Sequence, residues 1–398
     1  MPHWTEGWDA VLHPMPLRRF RLEHWERAPL HLSGRGAALY DGLLGVDDID
    51  RVVATQGIGF PALRIVRDHV TVPPDQWAVP RLEWGAGAVE GFAKPQVVFD
   101  LVRKGHSLVF DQMHRIWAPL AQLNRACEIA LGMRATCNVY FTPGGARTFK
   151  PHYDVQDVFV LQLAGRKRWQ VWEAEVVLPL KHQSCPSRGC EPKGLLLDVV
   201  LEPGDLLFFP RGYTHAAQAL DQDSLHVSVS AQPLTWHDLL SEVVARFDDP
   251  LLHEAVPYDP RAPELTEAQK RRFAEVLGRL VAEARPSDAL ATTSRKMVSS
   301  RFPAVRGMLH DRQRAAELTL RTPLRRREGL MYQILVRPQD CQLIFHESVL
   351  TFGRGSHELL RWMAEASGFC AAELPLPTDQ ARLDLARGLL TEGFLQVG

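Results

Sequence analysis

Three side chains stand where they could share one cation. His152-Tyr153-Asp154 puts an imidazole and a carboxylate on the same side of an extended segment, and His215, in GDLLFFPRGYTH, offers a second imidazole further along the chain. Two histidines and one carboxylate form the facial triad of non-haem Fe(II), which leaves coordination positions for a cosubstrate and O2. Iron is therefore the expected metal. The run Gly204 to His215 reads G-x5-P-x-G-x2-H, in which Gly204 permits a turn between strands and the Pro210 to Gly212 turn aims His215 into the mouth of a barrel. Other chemistries lack their parts. No G-x-G-x-x-G or G-x-x-x-x-G-K-[ST] loop is present to hold a dinucleotide or triphosphate, and no G-x-S-x-G elbow offers a nucleophile. His182, Cys185 and Cys190 lie close together in KHQSCPSRGC, but their spacing matches no standard zinc pattern and a fourth ligand is missing, so this segment reads as a surface loop.

The elements that must carry these residues are legible as a change of rhythm. Between Ala135 and Gln232 the chain offers TCNVYFT, DVFVLQLA, RWQVW, LLLDVVL, DLLFF, THAAQAL and LHVSVSA, short strand-like runs separated by Gly, Pro and charged turns. That pattern predicts an antiparallel barrel or jelly roll, a fold able to enclose a small-molecule site. Before it, GVDDIDRVVA reads as a helix start, and a helix is predicted from Trp117 to Leu131 with Leu120, Leu123, Cys127 and Leu131 on one face. After Pro233 the strands stop. WHDLLSEVVARF predicts an amphipathic helix, and Thr266 with Gln269 forms a capping box ahead of Phe273, Val276, Leu277 and Leu280. From about Thr322 onward, strand-like MYQILV and QLIFHE mix with helical ELLRWMAEA and LDLARGLLTEG, a winged-helix-like arrangement.

Composition bounds the partners. At 398 residues and 45% apolar content the chain has the core of two or three domains. Lys plus Arg at 46 against Asp plus Glu at 47 gives a net charge of -1, so no overall field draws it to nucleic acid or anionic lipid. The run Arg325, Arg326, Arg327 is the best case for nucleic-acid contact, but acids flank it in similar number and it reads as a solvated face or turn. No apolar run approaches the roughly 20 residues that span a bilayer. The start MPHWTEGWDA lacks the basic and then apolar pattern of a signal peptide, and six scattered cysteines fit a reducing compartment, so a cytoplasmic protein is expected.

The stretches NVYFTPGG, PHYDVQDVFVLQLAGRKRW, EPGDLLFFPRGYTHAA and SLHVSVS resemble the Jumonji C ribosomal oxygenases, iron- and 2-oxoglutarate-dependent protein hydroxylases of cupin type. FRLEHWERAPL and KGHSLVFDQMHR are similar to that family's lead-in. The resemblance implies an α+β chain with a double-stranded β-helix (cupin or jelly-roll) core. Its parts would be an α/β lead-in over 1–95, the catalytic barrel over 96–235, a helical dimerisation region over 236–320 and a winged-helix-like domain over 321–398.

By that resemblance His152, Asp154 and His215 would hold Fe(II), and Lys167 would pair with the distal carboxylate of 2-oxoglutarate. Strand alternation turns Arg166 and Arg168 to the opposite face. Asn138, Tyr140 and Ser230 resemble family positions near the cosubstrate, while His226, on the face of Ser230, reads as a core histidine and not as a metal ligand. The resemblance further implies oxidative decarboxylation of 2-oxoglutarate with O2 and hydroxylation of a His or Arg side chain in a ribosomal protein, by a homodimer. Two departures from the family stand out: Ala219 occupies a position where cupins often carry Asn, and the insertion Glu173 to Lys193 has no match. Another peptide substrate, such as a natural-product precursor, and a non-catalytic metal-binding cupin regulator are the alternative readings.

Overall fold

The computed structural model describes residues 3–80, 82–84, 87–89, 91–186, 189–257, 260–261, 263–299 and 307–398. It divides into two compact units, Met1–Pro233 and Leu234–Gly398.

The first unit contains strands β1 (Leu30–Leu32), β2 (Leu63–Arg67), β3 (Val70–Thr71), β4 (Leu82–Trp84), β5 (Gly87–Val89), β6 (Ser107–Phe110), β7 (Arg134–Thr142), β8 (Asp157–Ala164), β9 (Lys167–Ala174), β10 (Leu195–Leu201), β11 (Leu206–Phe209), β12 (Tyr213–Ala219) and β13 (Ser224–Gln232). Its helices are α1 (Trp8–Leu12), α2 (Leu17–Glu23), α3 (Val46–Thr55), α4 (Pro95–Arg103) and α5 (Ala118–Leu131). The seven strand-like runs of the sequence are β7 to β13. They form two antiparallel sheets: an eight-stranded one in the order β1-β11-β8-β13-β7-β6-β2-β3, and a three-stranded one in the order β10-β9-β12. The lead-in therefore adds strands to both edges of the larger sheet.

Period-two alternation decides what each face of the larger sheet does. On β7 the apolar set Ala135, Cys137, Val139 and Phe141 is buried against the helices, as are Leu225, Val227, Val229 and Ala231 of β13. Leu120, Leu123, Cys127 and Leu131 of α5 belong to the same core. The opposite face carries Thr136, Asn138 and Tyr140, paired in register with Ser230, Ser228 and His226. This polar ladder faces the smaller sheet. Between the two sheets a second apolar cluster of Val158, Val160, Trp169, Val171, Leu201, Leu207 and Phe209 closes one part of the barrel.

The second unit opens with helices α6 (Trp236–Arg246), α7 (Glu267–Glu283), α8 (Pro286–Ser299) and α9 (Met308–Ala316). The capping box forms as expected, with the Thr266 hydroxyl accepting from the Gln269 amide at 3.3 Å. The apolar faces of α6 and α7 are open: Trp236 is 80% exposed, and Leu240, Val244, Phe273, Leu277 and Val281 are also exposed. Two three-stranded sheets and two further helices follow, around a core of their own. Here the basic run differs from its expected solvated state. Arg327 is 2% exposed, and it donates to Asp311 at 2.6 Å and to the carbonyls of Gly393 and Leu395. A buried guanidinium persists where a carboxylate and carbonyls satisfy it, and here residues distant in sequence supply them.

Candidate metal and dicarboxylate site

His152 and His215 meet across a short antiparallel bridge just beyond the smaller sheet. The His215 amide donates to the His152 carbonyl at 2.8 Å and the His152 amide donates back to His215 at 3.2 Å. A bridge of this kind holds two side chains on one face. The turn before His215 is fixed by its own residues. Gly212 adopts φ +88°, its amide donates to the Asp154 carbonyl at 2.9 Å, and a Cβ there would stand 1.8 Å from the Val176 carbonyl oxygen. Only glycine fits. Arg211 is buried beside it, donating to Asp157 and, at 2.6 Å, to Glu26, and burial pushes the Asp157 carboxyl up to about 6 against the pull of Arg211.

The result is one cluster. Potential ligand atoms of His152, Asp154 and His215 all lie within 4.8 Å of one another, and it is the one such trio among the described residues. His215 Nε2 is 3.7 Å from Asp154 Oδ2, and the two imidazole centroids are 4.4 Å apart. Each ring turns its Nδ1 to a backbone carbonyl: His152 to Lys150 at 2.8 Å and His215 to Tyr213 at 3.1 Å. A carbonyl can only accept, so each Nδ1 donates and each Nε2 is turned toward the shared space. Metal-binding histidines are oriented in this way. Burial, reinforced by His152, lowers the His215 pKa to about 4 against the pull of Asp154, so the ring is neutral at physiological pH. Two imidazoles and a carboxylate fit a divalent iron ion.

Behind the trio lies a cavity of about 330 Å3, lined among others by Asn138, Tyr140, Lys167, His226 and Ser230. Asn138, Tyr140, Lys167 and Ser230, expected near the cosubstrate, thus share one cavity with His152, Asp154 and His215. Lys167 is 2% exposed, and its ammonium donates to the Thr142 hydroxyl at 2.9 Å. Burial alone lowers its pKa to about 7. Its neighbours point outward as alternation requires: Arg168 pairs with Asp198 and Arg166 with Asp221. Ala219 stands directly opposite Lys167 in the register of β12 and β9.

His226 lies outside the trio, stacked on Tyr140 with centroids 4.7 Å apart and planes 1° from parallel. Burial, with Lys167 nearby, holds its pKa well below the ordinary value. Two lining residues escaped the sequence reading. Arg64 reaches the cavity from β2, held by Asp111 at 2.5 and 2.9 Å. Trp169 of β9 packs edge-on against His226 at 5.4 Å. Neither Trp169 Nε1 nor His226 Nδ1 finds a protein partner among the described residues, although both are buried. Two unsatisfied nitrogens and a buried cation lining one cavity form a receptor for an anionic, hydrogen-bonding group.

The JmjC domain family model matches residues 112–239. Ribosomal oxygenase 1 of Danio rerio is 30% identical over 260 residues, 64% of this chain and 45% of that protein. The Homo sapiens ribosomal oxygenase 1 is 28% identical over 426 residues, 98% of this chain and 63% of that protein. The bifunctional lysine-specific demethylase and histidyl-hydroxylase NO66 of Aedes aegypti is 31% identical over 251 residues, 59% of this chain and 36% of that protein. The chain thus spans less than two thirds of the length of these relatives. Among solved structures, the Escherichia coli ribosomal oxygenase YcfD in complex with cobalt and 2-oxoglutarate matches with a TM-score of 0.57 at 18% identity, covering 96% of this chain and 98% of that one. It shares the fold.

Proposed function

Because residues 112–239 belong to the JmjC domain family, and because they bring a two-histidine, one-carboxylate trio and a buried lysine into one cavity, we propose that this protein is an Fe(II)- and 2-oxoglutarate-dependent oxygenase. Its substrate is an amino-acid side chain of His or Arg type in a protein, with a ribosomal protein the first candidate. The names of its relatives support that substrate class.

His152, Asp154 and His215 would hold the iron, which together with O2 and 2-oxoglutarate supplies the oxidising power and yields succinate and carbon dioxide. The chain's own contribution is placement. Lys167 receives the distal carboxylate of the cosubstrate, and the Thr142 hydroxyl at 2.9 Å fixes the ammonium in position for it. The binding of a carboxylate relieves a buried cation that no carboxylate pairs with among the described residues. Tyr140, Asn138 and Ser230 line the same cavity, and Trp169 and His226 offer it their unsatisfied nitrogens. Asn138 is itself fixed, since its Oδ1 accepts from the Gln112 amide at 2.9 Å. The carboxylate of Asp154 remains partly open to solvent, which places the mouth of the site on its side.

The open apolar faces of α6 and α7 support a homodimer formed through residues 236–320, followed by a winged-helix-like domain over 321–398. We place the protein in the cytoplasm without direct nucleic-acid binding, consistent with a basic run of which one member is buried. Among the described residues no helix is long and apolar enough to cross a membrane.

The substrate assignment is tested by comparing ribosomal proteins from cells with and without this gene product by mass spectrometry. A peptide heavier by one oxygen atom at a His or Arg, absent when His215→Ala replaces the wild type, supports it. An unmodified ribosome in both cells contradicts it.

A further inference from the structure

The insertion that matches no family pattern folds back on the metal trio. Cys190 lies at its end, and the Cys190 amide donates to the Pro151 carbonyl at 2.9 Å. The Tyr153 hydroxyl donates to the Gln183 carbonyl at 3.0 Å. The insertion therefore grips the residues on either side of His152 by two hydrogen bonds. The approach is close: Gly189 has φ +82°, and a Cβ there would stand 2.9 Å from the Pro151 carbonyl oxygen. In this loop Cys185 Sγ and Cys190 Sγ are 3.0 Å apart, and both residues are partly open to solvent.

Two thiols at this distance could serve a metal or one another. A structural metal site needs further ligands, and among the described residues the sole metal-capable trio is His152, Asp154 and His215. A disulfide asks for less, because the sulfurs need only close to about 2.05 Å.

We propose that Cys185 and Cys190 are a reversible redox pair, oxidised by low-molecular-weight disulfides, whose cross-link braces the His152-Tyr153-Asp154 segment from outside. The exchange balances. The Cys185 thiolate attacks one sulfur of the small disulfide and expels a thiolate; Cys190 then attacks the mixed disulfide at Cys185 and expels the second. Two protein thiols are oxidised, one small disulfide is reduced, and the two thiol protons pass to the leaving groups. Transient disulfides in reducing compartments are commonly of this sensing kind. The cross-link closes a short loop whose Cys190 end carries the hydrogen bond to Pro151, so it restricts opening of the segment that bears His152 and Asp154.

The full-length protein is treated with oxidised glutathione, then with dithiothreitol, and followed by thiol alkylation and peptide mass spectrometry, with hydrogen exchange of the 150–155 backbone read in parallel. The expected result is loss of both alkylatable thiols in the peptides bearing Cys185 and Cys190, a mass two hydrogens lower, full reversal by dithiothreitol, and exchange at 150–155 slowed about tenfold in the oxidised form. Cys185→Ser should abolish the mass change and the slowing together. Thiols that stay alkylatable, that stop at a glutathione adduct, or that cross-link without altering exchange at 150–155 would overturn the proposal. None of these readouts depends on turnover, so the result stands apart from that of the oxygenase assay.

Discussion

The Lys167 ammonium donates to the Thr142 hydroxyl at 2.9 Å, and no carboxylate pairs with it among the described residues. A buried cation held by a neutral hydroxyl is an incomplete ion pair. Replacing it by an apolar chain of similar length relieves the free protein and deprives the cosubstrate. Lys167→Met should therefore weaken 2-oxoglutarate binding about a hundredfold, roughly 3 kcal/mol, while leaving the thermal midpoint of the ligand-free protein equal or higher. Calorimetric titration in the presence of Co(II) and a thermal melt check both. Unchanged cosubstrate affinity would move the anion-binding role to Arg64.

The same lysine sets a pH dependence. Its folded pKa, about 7, lies below the ordinary 10.5, so between those values the unfolded chain binds more protons than the native one. Stability of the ligand-free protein should accordingly rise with pH through this window. A bound carboxylate favours the ammonium, so binding takes up a proton above pH 7. The 2-oxoglutarate dissociation constant should climb by up to about tenfold per pH unit between 7 and 9, and Lys167→Met should flatten that slope.

Trp169 separates support of the fold from service to the ligand. Its Nε1 has no partner among the described residues, so Trp169→Phe removes an N–H that stabilises nothing until a ligand arrives. The substitution should weaken 2-oxoglutarate or substrate binding about three- to tenfold and leave Co(II) affinity unchanged. An equal loss in both would mean that the ring acts by packing against His215, 6.3 Å away.

Gly212 tests the turn that delivers His215. With φ at +88° and a Cβ position 1.8 Å from a carbonyl oxygen, Gly212→Ala should cost about 2–4 kcal/mol of stability and reduce metal affinity in whatever fraction remains folded. Denaturant titration and Co(II) binding read the two effects.

The exposed faces of α6 and α7 predict self-association. Trp236→Glu combined with Phe273→Glu should shift the protein from dimer to monomer in sedimentation without lowering secondary-structure content, since both side chains are exposed. A wild type that sediments as a monomer at micromolar concentration would contradict the homodimer.

The barrel was readable because its inner and outer faces differ chemically at period two: Val139 and Val227 pack outward while Tyr140 and His226 face the cavity. Lys167 came from the family resemblance, with alternation turning Arg166 and Arg168 away, and His152, Asp154 and His215 from their types and spacing beside a Pro-Gly turn. Arg64 did not follow. Its strand is five residues long in a segment rich in Gly and Pro, and its role depends on Asp111, brought beside it by the pairing of β2 with β6. Arg327 was misjudged for a like reason, since its partner Asp311 lies on a helix that local pattern cannot connect to it. The grip of the insertion on Pro151 was equally invisible, because backbone hydrogen bonds between irregular segments leave no periodic mark.

The central claim is that His152, Asp154, His215 and Lys167 form one oxidative site. The direct measurement is succinate release from 2-oxoglutarate by the purified protein with Fe(II) in air, for wild type, His215→Ala and Asp154→Ala. Succinate from the wild type, stimulated by a digest of cellular protein and lost in both variants while circular dichroism stays unchanged, is the predicted result. A wild type that binds Co(II) yet releases no succinate with or without the digest would contradict the account and leave a metal-binding cupin without turnover.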